Sequence, residues 1–166
     1  FQIRDAVKTD MPEVLALIRA LALYEKEPDA VEIDVSQLEI GGFHAPVQFS
    51  CFVAEGPDGL IGMALVYFRF STWKGPVVHL EDLIVQEAYR GMGVGTALYH
   101  RVMEFAGQRS DERFLVHHQV SHNAVEMHLL SVLDLLDFKN GSGSKFYVGY
   151  TRLEVWQRKI KRFHNI

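Results

Sequence analysis

The sequence has 166 residues, of which 48% are hydrophobic and 23% charged, and its formal net charge is −4 at pH 7. This length fits one domain with a sizeable core, and the composition excludes the disordered and membrane-embedded classes. It also argues against nucleic acid as a partner, because the only basic cluster, residues 158–162, is a short run typical of a solvated tail.

Apolar periodicity predicts a strand and a helix at the start of the chain. Residues 1–4 alternate between apolar and polar side chains, as in a short strand. Apolar side chains at helical spacing between Val14 and Leu21 predict a helix with Asp10 as its N-cap. Acidic residues then dominate positions 25–34, which is typical of a solvated loop.

Three β-branched and aromatic runs follow, at residues 49–55, 60–70 and 77–85. The first two are joined by Gly-Pro-Asp-Gly at 56–59, which has the residues of a tight turn and predicts a hairpin. The third run makes a three-stranded antiparallel meander. Cys51 lies in the first run, where we expect a buried, unreactive thiol.

The second half begins with a glycine-rich loop and a helix from Val94 to Gly107. A strand at 114–120, a helix at 123–137 and a final strand at 145–155 complete the pattern. The predicted order is β, α, α, β, β, β, α, β, α, β. It indicates a single α/β domain over residues 1–166, with a mixed, largely antiparallel sheet flanked by helices.

The cellular compartment can also be predicted. A single cysteine cannot form a disulfide within the chain, which suits a reducing compartment. No apolar stretch reaches the roughly 18 residues of a membrane helix, and the amino terminus lacks a signal-peptide pattern. We therefore expect a cytoplasmic protein with no membrane partner.

The most informative segment runs from Leu80 to Thr96 as a strand, a glycine-rich turn and a helix. Glycines let backbone amides approach an anion, and a helix N-terminus adds N–H groups and the positive end of its dipole, so a pyrophosphate would fit. The segment does not fit a Walker loop, which would need a lysine before Thr96 where Gly95 stands. It also does not fit a dinucleotide fingerprint, which would need a glycine at position 96 and would follow the first strand of a βαβ unit. A tight turn without a ligand remains the alternative.

The stretch Arg90-Gly91-Met92-Gly93-Val94-Gly95 resembles the phosphate loop of the GNAT acetyltransferases, which has the form Arg/Gln-x-x-Gly-x-Gly/Ala. Other stretches resemble the diamine (spermidine/spermine) and thialysine acetyltransferase branch of that family. They lie at residues 21–25, 67–68, 71–75 and 80–83. The resemblance covers roughly residues 2–123 and implies a GNAT fold, a homodimer, and an acetyl-CoA-dependent N-acetyltransferase that acts on the primary amine of a small molecule.

The resemblance also implies which residues bind the cofactor and the amine. Those that would pair with pantetheine through their backbone are Leu83, Ile84 and Val85, which could equally be ordinary core residues of a strand. Those that would surround the pyrophosphate are Arg90, Gly91, Met92, Gly93, Val94, Gly95 and Thr96. Those that would line the amine pocket are Tyr24, Glu25, Trp73, Glu81 and Asp82.

Glu81 matches the family carboxylate that deprotonates the amine, usually through water. A base is needed because an alkyl ammonium of the lysine type has a pKa of about 10.4 and is mostly charged at pH 7. The alternative is a surface or ion-paired glutamate. Asp82 is equally acidic, but adjacent residues of a regular strand point to opposite faces, so we expect only one of the two to face the cleft.

The identity of the amine stays open among thialysine, lysine analogues, diamines and polyamines. In spermidine-preferring relatives an acidic residue stands two positions before the tryptophan. Here that position is Ser71, as in the thialysine-type relatives.

The last third of the chain departs from the family pattern, in which a tyrosine seven residues after an asparagine protonates the departing thiolate. One alignment places the asparagine at Asn123, a cofactor-side residue, and puts Leu130 in the tyrosine position. The other uses Asn140 and makes Tyr147 the general acid, but it begins a helix on two glycines that each cost roughly 1 kcal/mol. Because the first alignment leaves no tyrosine in that position, an inactive module that binds acetyl-CoA is the rival hypothesis.

Four histidines in this region raise the question of a metal site: His117, His118, His122 and His128. Only His118 and His122 have the spacing of a helical ligand pair, and they span a predicted strand end. We therefore expect no metal.

Overall fold

The computed structural model describes residues 1–72 and 75–108, together with the backbone of 116–118 and 149–150. Its strands are β1 (Gln2–Asp5), β2 (Ser50–Gly56), β3 (Gly59–Ser71), β4 (Gly75–Val85), β5 (Val116–His118) and β6 (Gly149–Tyr150). Its helices are α1 (Met11–Tyr24), α2 (Val35–Phe43) and α3 (Val94–Gly107). Short 3-10 turns occur at Lys8–Asp10 and Glu87–Tyr89.

Within the described residues the six strands form one sheet in the order β1-β2-β3-β4-β5-β6. The pairs β1–β2, β2–β3 and β3–β4 are antiparallel, whereas β4–β5 and β5–β6 are parallel. The predicted mixed, largely antiparallel sheet is confirmed.

The turn between β2 and β3 shows why the predicted hairpin forms. Gly59 has φ +129°, and a Cβ there would lie 2.6 Å from Oε2 of Glu13. That oxygen accepts a hydrogen bond of 2.8 Å from the Leu60 backbone N–H. The first turn of α1 is therefore fixed to the hairpin.

The sheet separates two cores because its apolar residues alternate between faces. On one face α1 and α2 cover Cys51, Val53, Met63 and other apolar side chains. On the other face α3 covers a second set, which includes Phe52, Ala54 and Ala64. Cys51 is buried, as expected, and burial raises the pKa of its thiol to about 12.

Asp10 occupies the N-cap position of α1, as expected, but its side chain does not cap the helix. Its carboxylate instead accepts hydrogen bonds of 2.7 and 3.0 Å from the Arg4 guanidinium and one of 2.7 Å from the Val7 backbone N–H. The hydrogen bond with Arg4 is the main reason why the pKa of Asp10 is lowered. This carboxylate therefore ties β1 to the start of α1.

The acidic stretch 25–34 contains neither helix nor strand, which confirms the predicted loop. It ends at Asp34, the N-cap of α2, whose side chain accepts a hydrogen bond of 2.8 Å from the Gln37 backbone N–H. The Gln37 side chain in turn accepts one of 3.0 Å from the Asp34 N–H. This capping box explains why a helix begins directly after the loop.

The predicted strand at 114–120 is described only over Val116–His118, and the predicted last strand only over Gly149–Tyr150. The predicted helix at 123–137 lies outside the described residues. None of the helices in the described part of the chain has the length and apolar character needed to cross a membrane.

Candidate active site

The strand β4 carries a β-bulge where the two candidate carboxylates lie. Val66 pairs with Leu80 and Leu65 pairs with Asp82, so Glu81 is an extra residue in β4. The side-chain alternation therefore restarts at Asp82. Leu80 packs beneath α3, whereas Ile84, two residues after Asp82, packs beneath α1.

Glu81 and Asp82 consequently lie on the same face of the sheet, the face covered by α1. Glu81 contacts His79 two residues before it, and His79 alternates with Leu80, which faces α3. The expectation that only one carboxylate faces the cleft applies to a regular strand, and the bulge makes β4 irregular at this point.

The Glu81 side chain is 51% exposed and has a buried partner beneath it. Oε2 of Glu81 lies 3.3 Å from Nε2 of His79, which is itself only 3% exposed. Tyr67 pairs with His79 across the strands, and the two ring centroids are 5.0 Å apart. Burial and then the Glu81 charge raise the pKa of Tyr67, with a smaller contribution from its hydrogen bond to Glu81.

Asp82 is partly buried, and its environment favours the protonated carboxyl. Burial is the largest cause that raises its pKa to about 6, and the charges of Glu81 and Glu25 raise it further. Glu25 directly follows α1. Glu25, Glu81 and Asp82 are therefore close enough to interact electrostatically, and we refer to them as the acidic cluster. Such a cluster attracts a cation and can accept a proton near neutral pH.

The glycine-rich loop, residues 90–96, presents backbone rather than side chains. Gly91 and Gly93 have φ values of +76° and +81°, which favour glycine, and no atom lies within 4 Å of a Cβ built at either position. Gly93 is the N-cap of α3 and no side chain caps the helix there. The loop therefore leaves a helix N-terminus accessible to an anion.

The loop is held against β4 by two contacts. Nε of Arg90 donates a hydrogen bond of 3.1 Å to the Val85 carbonyl. A Cβ at Gly95 would lie 3.6 Å from Cγ2 of Val85 and 3.8 Å from Cδ2 of Leu83, so the first turn of α3 packs closely on the strand. The loop and the first turn of α3 are therefore held against the end of β4 that follows Glu81 and Asp82.

The part of β4 expected to bind pantetheine lies beyond the described pairing with β5. That pairing joins Val78–Leu80 to Val116–His118, while β4 continues to Val85. Ile84 is buried and Leu83 and Val85 are partly buried against the core. Their side chains therefore fix the strand, and their backbone is the part that could contact a ligand.

Comparison with models of known protein families assigns the chain to a family. The model of the acetyltransferase (GNAT) family matches residues 12–131. The chain belongs to the GNAT family. This result confirms the resemblance that the phosphate-loop motif indicated.

Two curated relatives of this GNAT protein each match part of the chain. Thialysine N-epsilon-acetyltransferase from Bos taurus is 41% identical over 112 residues, which span 63% of this chain and 66% of the relative. Spermidine/spermine N(1)-acetyltransferase-like protein 1 from Homo sapiens is 39% identical over 113 residues, but these span only 16% of that protein. The chain thus covers less than two thirds of either relative.

A solved structure confirms the predicted GNAT fold. An aminoglycoside acetyltransferase from an uncultured soil metagenomic sample, in complex with sisomicin, superposes with a TM-score of 0.62 at 19% identity. The superposition covers 82% of this chain and 86% of that one.

The remaining predicted residues divide into those placed in the site and those outside the described part of the GNAT protein. Tyr24, expected in the amine pocket, lies under Arg90, whose guanidinium carbon is 4.7 Å from the tyrosine ring centroid. Met92 is 63% exposed, whereas Val94 is buried, so only the backbone of Val94 could contact a pyrophosphate. Thr96 is partly buried in the first turn of α3.

Trp73, Asn123 and Tyr147 lie outside the described residues, so their roles remain predictions. The same holds for the side chains of the four histidines considered for a metal. In the described part of the chain, no three His, Cys, Asp or Glu side chains are arranged so that they could hold one metal ion.

Sequence reasoning missed His79 and the contact between Arg90 and Tyr24. The position of His79, two residues before Glu81, was the available signal, because residues two apart in a strand share a face. No comparable signal pointed to the Arg90 contact, which joins residues that are 66 positions apart in the numbering of the sequence.

Proposed function

We propose that this GNAT protein transfers an acetyl group from acetyl-CoA to the primary amine of a small molecule. The observation that carries the proposal is the proximity of an accessible, glycine-lined helix N-terminus and an acidic cluster at one end of β4. The first suits a pyrophosphate and the second suits an ammonium group. The names of the two relatives support the same chemistry.

The residues present fit acetyl-CoA. Gly91 and Gly93 leave the room that a pyrophosphate needs, and the N-terminus of α3 offers backbone N–H groups. Arg90 would add a positive charge, and the backbone of 83–85 would bind the pantetheine arm. When bound, acetyl-CoA supplies the acetyl thioester that the amine attacks.

In this proposal Glu81 accepts the proton of the substrate ammonium. Its carboxylate is half exposed, so the amine can reach it directly or through one water. Asp82 and Glu25 attract the cation to the same place. Positioning and deprotonation then supply most of the rate, and the chain forms no covalent intermediate.

Tyr147 is the proposed general acid for the departing thiolate, and Asn123 and Trp73 keep their proposed contacts with the cofactor and the amine. These three assignments depend on the family resemblance. The proposed homodimer and cytoplasmic location depend on the resemblance and on the single cysteine, respectively. Sedimentation at micromolar concentration would contradict the homodimer if it found only the 18.9 kDa monomer.

A thiol-release assay with a panel of amines tests the proposed function. The panel contains thialysine, lysine, diamines and polyamines, and kcat/KM is compared among them. We expect turnover with at least one primary amine and none with its N-acetylated product. Tight binding of acetyl-CoA without turnover of any amine would instead support the inactive module.

A further inference from the structure

A buried imidazole lies directly beneath the exposed carboxylate that the proposed function uses as a base. His79 is 3% exposed, and its Nε2 lies 3.3 Å from Oε2 of Glu81. Its ring packs at 5.0 Å, with an interplanar angle of 54°, on Tyr67 of the neighbouring strand. The histidine is therefore held by the sheet, while the glutamate above it reaches into solvent.

The short distance matters because Nε2 of His79, when it carries hydrogen, attracts the Glu81 carboxylate that lies 3.3 Å away. A half-exposed glutamate otherwise samples several rotamers, because it has three rotatable side-chain bonds. A fixed N–H donor beneath it selects one of them.

Among the residues that the structure describes, the other charged groups around Glu81 do not provide this restraint. Asp82 and Glu25 are acidic and repel its carboxylate. Arg69, on β3, acts on the hydroxyl of Tyr67, which itself hydrogen-bonds to Glu81. His79 and Tyr67 thus contact Glu81 from β4 and β3, on the side away from solvent.

We propose that His79 is a positioning residue that holds the Glu81 carboxylate in the orientation needed to deprotonate the substrate amine. This inference rests on the proposed function of Glu81 as the base. The proton moves from the ammonium nitrogen to a carboxylate oxygen of Glu81, and His79 keeps its Nε2 proton throughout. Tyr67 fixes the imidazole ring and hydrogen-bonds to the same carboxylate.

Three substitutions at two positions test the proposal: His79→Phe, His79→Gln and Glu81→Gln. Phenylalanine keeps the ring contact with Tyr67 but removes the donor, whereas glutamine places an N–H near the original Nε2. We expect His79→Phe to lower kcat by about 10- to 100-fold, the effect of misplacing a reacting group by about 1 Å. The KM for acetyl-CoA should not change, and His79→Gln should retain activity within about 3-fold of the original chain, a margin well below the loss from misplacement.

The double variant separates this inference from the proposed function. If His79 acts through Glu81, adding His79→Phe to Glu81→Gln should lower kcat no further. The positioning role would be overturned if His79→Phe lowered kcat by the same factor in the original chain and in the Glu81→Gln variant. It would also be overturned if His79→Gln lowered kcat as much as His79→Phe does. Full activity of Glu81→Gln alone would instead overturn the proposed base.

Two controls keep the test interpretable. His44→Phe makes the same change at an exposed position and should leave kcat unaltered. If His79→Phe does not fold, as judged by thermal unfolding, His79→Leu also lacks a donor and takes its place in the comparison.

Discussion

The glycine-rich loop and the acidic cluster are neighbours along the chain, but they are built in different ways. In the loop, the backbone conformation of Gly91 and Gly93 and the start of α3 create the site. In the acidic cluster, Glu81 and Asp82 share a face only because β4 bulges against β3, and Glu25 comes from the end of α1. Acetyl-CoA binding at the loop should therefore be sensitive to single substitutions within the loop. The activity that depends on the acidic cluster should change on substitution of the cluster and also of its neighbours.

The largest effect is expected at Gly93, where a substitution acts directly on the backbone site. Gly93→Glu should abolish acetyl-CoA binding, because it places a negative charge and a side chain where a pyrophosphate would approach the amides. The fold should survive, since a Cβ at this position meets no atom within 4 Å, although the left-handed conformation costs about 1–2 kcal/mol. Calorimetric titration with acetyl-CoA measures the loss.

Gly107→Glu is the matched control for this change. It adds the same charge at the other end of α3, where a Cβ also meets nothing within 4 Å. Its affinity for acetyl-CoA should be close to that of the original chain. Equal affinities of the two variants would show that the pyrophosphate does not bind at the loop.

The next effect concerns the acidic cluster and distinguishes its two strand carboxylates. Glu81→Gln should lower kcat/KM by about 10²- to 10⁴-fold at pH 7 if Glu81 is the base. The deficit should shrink as the pH approaches about 10, where an amine of the lysine type loses its proton without assistance. A pH series of kcat/KM provides the measurement.

Asp82→Asn, measured over the same pH series, shows which carboxylate carries the role. A deficit of Glu81→Gln that does not depend on pH would make Glu81 a group that positions the substrate. Full activity of Glu81→Gln together with a pH-dependent deficit of Asp82→Asn would transfer the proton acceptor to Asp82, whose pKa of about 6 suits that role.

The same contrast explains what could be predicted from the sequence. The loop was predicted correctly because glycines at 91, 93 and 95 before a helix specify backbone conformation within a few residues. The meander was predicted because its apolar runs and its Gly-Pro-Asp-Gly turn are local signals. The shared face of Glu81 and Asp82 was not, because a bulge depends on the pairing of β4 with β3, which is a long-range property.

A smaller effect is expected on stability, from the burial of Asp82. In the folded chain its pKa is raised to about 6, so ionisation of this carboxyl destabilises the fold as the pH rises from about 4 to 6. Asp82→Asn removes that penalty and should raise the free energy of unfolding at pH 7.5 by about 1–3 kcal/mol. The gain should vanish near pH 4, where Asp82 is protonated in the native state.

Urea denaturation at several pH values measures this difference, with Asp58→Asn as the matched control. Asp58 lies in the exposed turn between β2 and β3, so its substitution should change stability little at any pH. A constant difference between Asp82→Asn and the original chain across the pH range would contradict the predicted desolvation of Asp82.

The smallest effect is expected where the two regions meet, at the contact between Arg90 and Tyr24. The guanidinium carbon lies 4.7 Å from the ring centroid at the surface, an arrangement worth about 0.5–1 kcal/mol. If Tyr24 orders Arg90 for the pyrophosphate, Tyr24→Leu should weaken acetyl-CoA binding by about 2- to 5-fold, which corresponds to that energy. Tyr24→Phe keeps the aromatic face and should bind normally.

The effect on acetyl-CoA binding should disappear in an Arg90→Met background, because the cation is then absent and the ring has nothing to order. The resemblance to the family places Tyr24 in the amine pocket instead. In that case Tyr24→Leu should raise the KM for the amine, leave the Kd for acetyl-CoA unchanged, and do so with or without Arg90. Measuring both constants in the four variants of this cycle therefore decides whether Tyr24 belongs to the backbone site for the cofactor or to the acidic site for the amine.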